Sequence, residues 1–97
     1  MDKKRLKHLL EAVDLLKEIA NPRRLAVLCY LLEGELSVGE LVEKIRISQS
    51  ALSQHLARLN RKGIVGRKRS GQYIYYYLKS EEVKKIIGTL HNLYCAY

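Results

Sequence analysis

Few side chains in this sequence are suited to covalent chemistry. Its two cysteines, Cys29 and Cys95, stand 66 positions apart. An ionised thiol can attack an oxidant and a second thiol can resolve the adduct, so the pair has the parts for redox chemistry. Two reduced cysteines serve equally well as small hydrophobes in a core, and composition alone favours that reading. The three histidines, His8, His55 and His91, are scattered and make no four-ligand metal set with the thiols. There is no glycine loop to cradle a phosphate and no nucleophile elbow, and the acids fall on the outer faces of amphipathic segments. Neither an enzyme nor a metal or other cofactor is expected.

Charge is the stronger chemical signal. From Lys44 to Ser80 there are nine basic residues (Lys44, Arg46, Arg58, Arg61, Lys62, Arg67, Lys68, Arg69 and Lys79) and no Asp or Glu. The formal net charge of +8 arises in this one segment, because basic and acidic residues nearly balance elsewhere. Such segregation points to a polyanion, DNA above all.

These cations need rigid elements to hold them. Ser37 with Glu40 three residues on forms a capping box for a helix over 37–45. Ser48 opens a second helix over 48–61, on which Leu52, Leu56 and Leu59 share one face at about 100° per residue. The same wheel turns Ser50, Ser53, Gln54, Ala57 and Arg61 outward, with Arg58 at the flank. Short polar side chains allow close approach to base edges, and long arginines reach phosphates. Gln49, Ser50, Ser53, Gln54 and Arg58 are the expected groove contacts. His55 lies towards the buried flank, as a packing or phosphate contact, and His8 reads as a solvated surface residue.

Gly63 breaks the second helix. Segments 65–69 and 73–78 then read as a hairpin with Ser70-Gly71-Gln72 at its tip. Arg67, Lys68, Arg69 and Gln72 lie where such a finger would follow the DNA backbone or enter the minor groove. Tyr73, Tyr75, Tyr76 and Tyr77 could stack on single-stranded bases, but strand propensity explains them better, with Ile74, Tyr76 and Leu78 on one face.

Three further helices frame this unit. Leu6, Leu9, Leu10, Val13 and Leu16 recur at helical spacing over Lys3–Ile19. Asn21-Pro22 is a start signal for Pro22–Leu32, which Gly34 ends. Val83, Ile86, Ile87, Leu90 and Leu93 place the last helix over Glu81–Tyr94. The expected fold is mainly α with a β-hairpin: a winged helix-turn-helix of about five helices and a two-stranded wing. It is a single domain over 1–97, with helix-turn-helix 37–61 and wing 64–78. A monomer of 97 residues buries only about 60–65% of its unfolded surface. The flanking segments 1–19 and 80–97 are the natural surface for pairing two subunits. No apolar run approaches the roughly 18 residues of a membrane span, and the N-terminus has no signal-peptide core, so a cytoplasmic protein is expected.

Leu36-Ser37-Val38-Gly39-Glu40-Leu41, Ile47-Ser48-Gln49-Ser50-Ala51-Leu52-Ser53-Gln54-His55-Leu56 and Gly71-Gln72-Tyr73-Ile74-Tyr75-Tyr76 together form a recognisable pattern. On these motifs the chain resembles the ArsR/SmtB family of bacterial winged-helix transcriptional regulators over nearly its full length. The Leu28-Cys29-Tyr30 and Leu93-Tyr94-Cys95 contexts are similar to its thiol-based branch, typified by HlyU and BigR. That resemblance implies a homodimer paired through its first and last helices, reading a two-fold symmetric double-stranded operator with two copies of helix 48–61. It implies a regulator, most often a repressor, switched by an oxidant- or persulfide-driven link between Cys29 and Cys95. The HlyU-like members instead counteract a silencing protein. Metal-responsive repression is the rival within the family. Its arsenic and cadmium sensors carry cysteines where this chain has Ser37-Val38-Gly39, and its zinc sensors use paired ligands on a last helix that here offers only His91.

Overall fold

The computed structural model describes residues 1–94. Five helices and three short strands follow in the order α1 (Lys3–Ile19), α2 (Pro22–Leu32), β1 (Leu36–Ser37), α3 (Val38–Ile45), α4 (Gln49–Arg61), β2 (Val65–Ser70), β3 (Tyr73–Leu78) and α5 (Glu81–Tyr94). The helix starts are where local chemistry puts them. The Asn21 side chain accepts from the N–H groups of Arg23 and Arg24, with Pro22 at the first helical position. At α3 the capping box is complete, Ser37 and Glu40 each accepting the other's backbone N–H. Ser48 caps α4 through the Ala51 N–H.

The core lies between α2, α3, α4, α5 and one face of the sheet. Val27, Leu28, Leu41, Leu52, Leu56, Leu59, Ile64, Val83 and Ile87 are essentially fully buried. Leu52, Leu56 and Leu59 thus occupy the inner face expected of them. In β3, Tyr76 and Leu78 are buried and Ile74 is half-buried, whereas Tyr73 and Tyr77 are exposed. The tyrosines therefore serve a pleated half-buried strand.

The sheet has one strand more than the hairpin. β1 pairs antiparallel with β3, Leu36 opposite Tyr76 and Ser37 opposite Tyr75, giving the order β1-β3-β2. The β2–β3 ladder runs from Val65 opposite Leu78 to Ser70 opposite Tyr73, and Gly71 turns the tip at φ 63°. Gly66 is a buried strand glycine opposite Tyr77. A Cβ there would collide with the Tyr77 ring, so the missing side chain makes room for it.

α1 departs most from a self-contained domain. Only its last turn enters the core, through Glu18 and Ile19 with Leu15 partly covered. Its apolar stripe faces away from that core: Leu6, Leu9, Leu10, Val13 and Leu16 are each 42–54% exposed. The Cα radius of gyration is 14.5 Å, against about 13 Å for a compact chain of this length.

Candidate nucleic-acid interface

Three connections fix α4 and the hairpin to each other. Gly63 adopts φ 72° and directs the chain out of α4. The Ile64 N–H donates to the Leu59 carbonyl at 3.0 Å, and the Asn60 side-chain amide donates to the Val65 carbonyl at 3.2 Å. The turn between α3 and α4 is held as firmly. Arg46 takes the left-handed conformation, φ 62°, with its N–H on the Val42 carbonyl. From α2, Arg23 donates to the Ile45 carbonyl, and Lys44 sits 5.6 Å over the Tyr30 ring.

On this frame Gln49, Ser50, Ser53, Gln54, Ala57, Arg58 and Arg61 lie on the exposed side of α4. Arg67, Lys68, Arg69 and Gln72 are likewise exposed on the hairpin. His8 is exposed on α1 and His55 is half-buried. An open cleft of about 420 Å³ runs along α4, lined by Arg24, Gln54, His55, Ala57, Arg58 and Arg61. A concavity so rich in cations suits a phosphate backbone.

Two of the expected contact residues are ion-paired within the chain. Arg58 makes a two-pronged ion pair with Glu18 of α1, Nε to Oε2 at 2.7 Å and Nη2 to Oε1 at 3.2 Å. The guanidinium holds the Glu18 carboxyl below its ordinary value, against a burial that acts the other way. Lys68 pairs with Glu35 at 2.7 Å, both ends largely exposed. No local pattern announces either pair, because the partners are 40 and 33 positions apart. If Lys68 reaches a phosphate, Glu35 competes for it. Glu35→Gln should therefore bind mixed-sequence duplex more tightly, with a salt slope steeper by up to about 0.9 per protomer. Its melting temperature should be unchanged, because an exposed pair adds little stability. Unchanged affinity and slope in a filter-binding titration would remove Lys68 from the interface.

His55 is held below its ordinary value of 6.5, first by burial and then by the nearby charges of Arg24, Arg58 and Arg23. The unfolded chain accordingly binds a proton here more readily than the folded one. The stability contributed by neutral His55 is complete above about pH 6.5 and declines as pH falls through that value. Glu18 contributes its loss only below its ordinary 4.5. Thermal melts between about pH 7 and 5 should show a decline that His55→Gln flattens; an identical decline in that variant would place its source elsewhere.

Cys29 is half-buried in α2 and packs against the core. Cys95 lies outside the described residues. Among the described residues no three of His, Cys, Asp and Glu come together as a metal site, and no helix is long and apolar enough to cross a membrane.

An exposed helix of small polar residues, seated by a helix-turn-helix and flanked by a basic β-hairpin, defines a winged helix-turn-helix DNA-binding regulator. The chain belongs to the arsR family of bacterial regulatory proteins, whose pattern it matches over residues 21–66. It is similar to the transcriptional activator HlyU of Vibrio cholerae, 56% identical over 85 residues that span 88% of this chain and 79% of that protein. The solved structure of reduced HlyU from that organism superposes with a TM-score of 0.93 at 52% identity, covering 97% and 99% of the two chains. The biofilm growth-associated repressor of Xylella fastidiosa is 41% identical over 86 residues, 89% of this chain and 75% of that one. A Mycobacterium bovis winged helix-turn-helix domain described as homodimeric superposes at 0.81 with 25% identity, covering 96% and 86%. HlyU and the Xylella repressor are transcriptional regulators, and this chain is a DNA-binding regulator of the same branch.

Proposed function

We propose that the protein is a homodimeric, sequence-specific repressor in the cytoplasm that reads a two-fold symmetric operator and is controlled by the thiol state of Cys29 and Cys95. The observation that carries the DNA reading is the exposed polar face of α4 beside a basic hairpin, in a segment with no acidic residue. Gln49, Ser50, Ser53 and Gln54 read base edges. Arg61, Arg67, Arg69 and Gln72 take the backbone or minor groove, with Arg58 and His55 at the cleft. Neutralising roughly 6–10 phosphates makes affinity fall about 10³–10⁵-fold between about 50 and 200 mM salt. A flat salt titration would contradict this.

Pairing through 1–19 and 80–97 is supported by the uncovered α1 stripe and by the relative described as homodimeric. The thiol control is supported by the packing of α2, which carries Cys29, against α5, which leads into Cys95, and by the relative described as reduced. A link would require Cα atoms within about 7 Å. Losing tenfold to hundredfold in affinity takes only about 1.4–2.8 kcal/mol, which modest strain in the pairing helices supplies. Peroxide or persulfide treatment should weaken operator binding by that factor, and Cys29→Ser should abolish the response. An unaltered affinity on treatment, or a full response in Cys29→Ser, would sink the thiol switch while leaving DNA binding intact.

A second reading has its own support. HlyU is described as an activator, and a dimer that occupies DNA activates where it displaces a silencing protein. Reporter transcription in a strain lacking the gene separates the two: it rises for a repressor and falls for an anti-silencer.

A further inference from the structure

We infer that Glu18 is a positioning residue for DNA recognition: from the helix that pairs the subunits it aims the Arg58 guanidinium of α4 outward. The inference rests on the proposed DNA reading and assigns one buried carboxylate a part in it.

Glu18 is a residue that local chemistry disfavours where it stands. It lies in the last turn of α1, where the helix dipole repels an anion, and it is only 5% exposed. Long-range contacts hold it there. Both carboxylate oxygens receive Arg58, and the Glu18 backbone carbonyl receives Arg24 Nε at 2.7 Å while Arg24 Nη2 reaches the Lys17 carbonyl at 3.2 Å. The end of α1 is thereby clamped to α2 and α4 together.

The geometry leaves Arg58 half-committed. Its Nε and one Nη2 proton serve Glu18, two of the five N–H donors of a guanidinium. The Arg58 side chain is still 46% exposed, on the cleft shared with Gln54, His55 and Arg61. A long side chain that ordinarily loses much rotamer freedom on binding has lost it beforehand, with three N–H donors left over on a side chain that lines the cleft.

The opposite role would be a mask, with Glu18 standing in for a phosphate until DNA displaces it. Withdrawing Arg58 would leave a buried carboxylate without its partner, which costs more than an exposed phosphate contact returns. The same comparison leaves Glu35, largely exposed on Lys68, free to compete. Aiming therefore wins at Glu18.

The experiment uses the full-length dimer and the duplex it enriches from a random-sequence pool. Arg58→Ala and Glu18→Gln should each weaken binding about tenfold, and Glu18→Gln should change nothing further in the Arg58→Ala background. A merely structural role would lower affinity alike in both backgrounds. Should Glu18→Gln fail to fold, Glu18→Asp keeps the charge on a shorter arm and should show a smaller loss that also vanishes with Arg58→Ala. Tighter binding by Glu18→Gln, fully additive losses, or an unaffected Arg58→Ala would each overturn the inference. Failure of the wild-type protein to enrich any duplex would instead overturn the DNA reading itself.

Discussion

Leu10→Glu is expected to give a folded monomer that has lost high-affinity operator binding. Leu10 is 54% exposed at the middle of the α1 stripe and outside the core of its own subunit, so the substitution should leave the protomer intact. In a dimer paired through α1 the same position becomes dry, and the two-fold axis introduces two carboxylates at once. An unpaired charge in such a place costs several kcal/mol, and each 1.4 kcal/mol is tenfold in the dimer constant. Two linked half-site contacts then become two separate ones, which forfeits about 10²–10⁴ in apparent affinity. Sedimentation reads the assembly and filter binding reads the affinity. A dimer that survives the change would show that the stripe is covered by something other than a second copy.

The second large effect concerns the reading itself. Gln54 is exposed on α4 at the edge of the cationic cleft. A well-placed side chain to base contact contributes about 1–3 kcal/mol, and symmetry uses it twice. Gln54→Ala should then weaken binding to the selected duplex by about thirtyfold or more and narrow the gap between that duplex and mixed sequence. Arg67→Ala, on the hairpin, should weaken both duplexes alike and reduce the salt slope by about one per protomer. If Gln54→Ala lowered both affinities equally, Gln54 would be a backbone contact, and the specificity would lie elsewhere on α4.

The parts of this fold that were legible in the sequence are those written in local chemistry. Asn21-Pro22, the Ser37/Glu40 box and the Ser48 cap each act within one helical turn, and α2, α3 and α4 begin where they say. Gly63 and Gly71 turn the chain at positive φ, as their positions between periodic segments imply. What escaped is what another part of the chain creates. β1 is two residues long and exists because Leu36 and Ser37 meet β3; so short a run carries no alternation to detect. Arg46 adopts a glycine-like conformation without being glycine. Periodicity showed that α1 has an apolar face, and only the packing shows that the face is turned from its own core. On α4, helical phase sufficed to place Ser50, Ser53, Gln54, Ala57 and Arg61 on the open side. It did not reveal that Arg58 and Lys68 are held by Glu18 and Glu35, because those acids come from distant segments.

The proposed dimer sets two copies of α4 into successive major grooves of one duplex. Hydroxyl-radical footprinting of the wild-type protein on its selected duplex reads that spacing. Two protected segments related by two-fold symmetry, their centres about 34–36 Å apart along the helix, are predicted. A single unsymmetrical footprint, or uniform protection without preferred sequence, would contradict it.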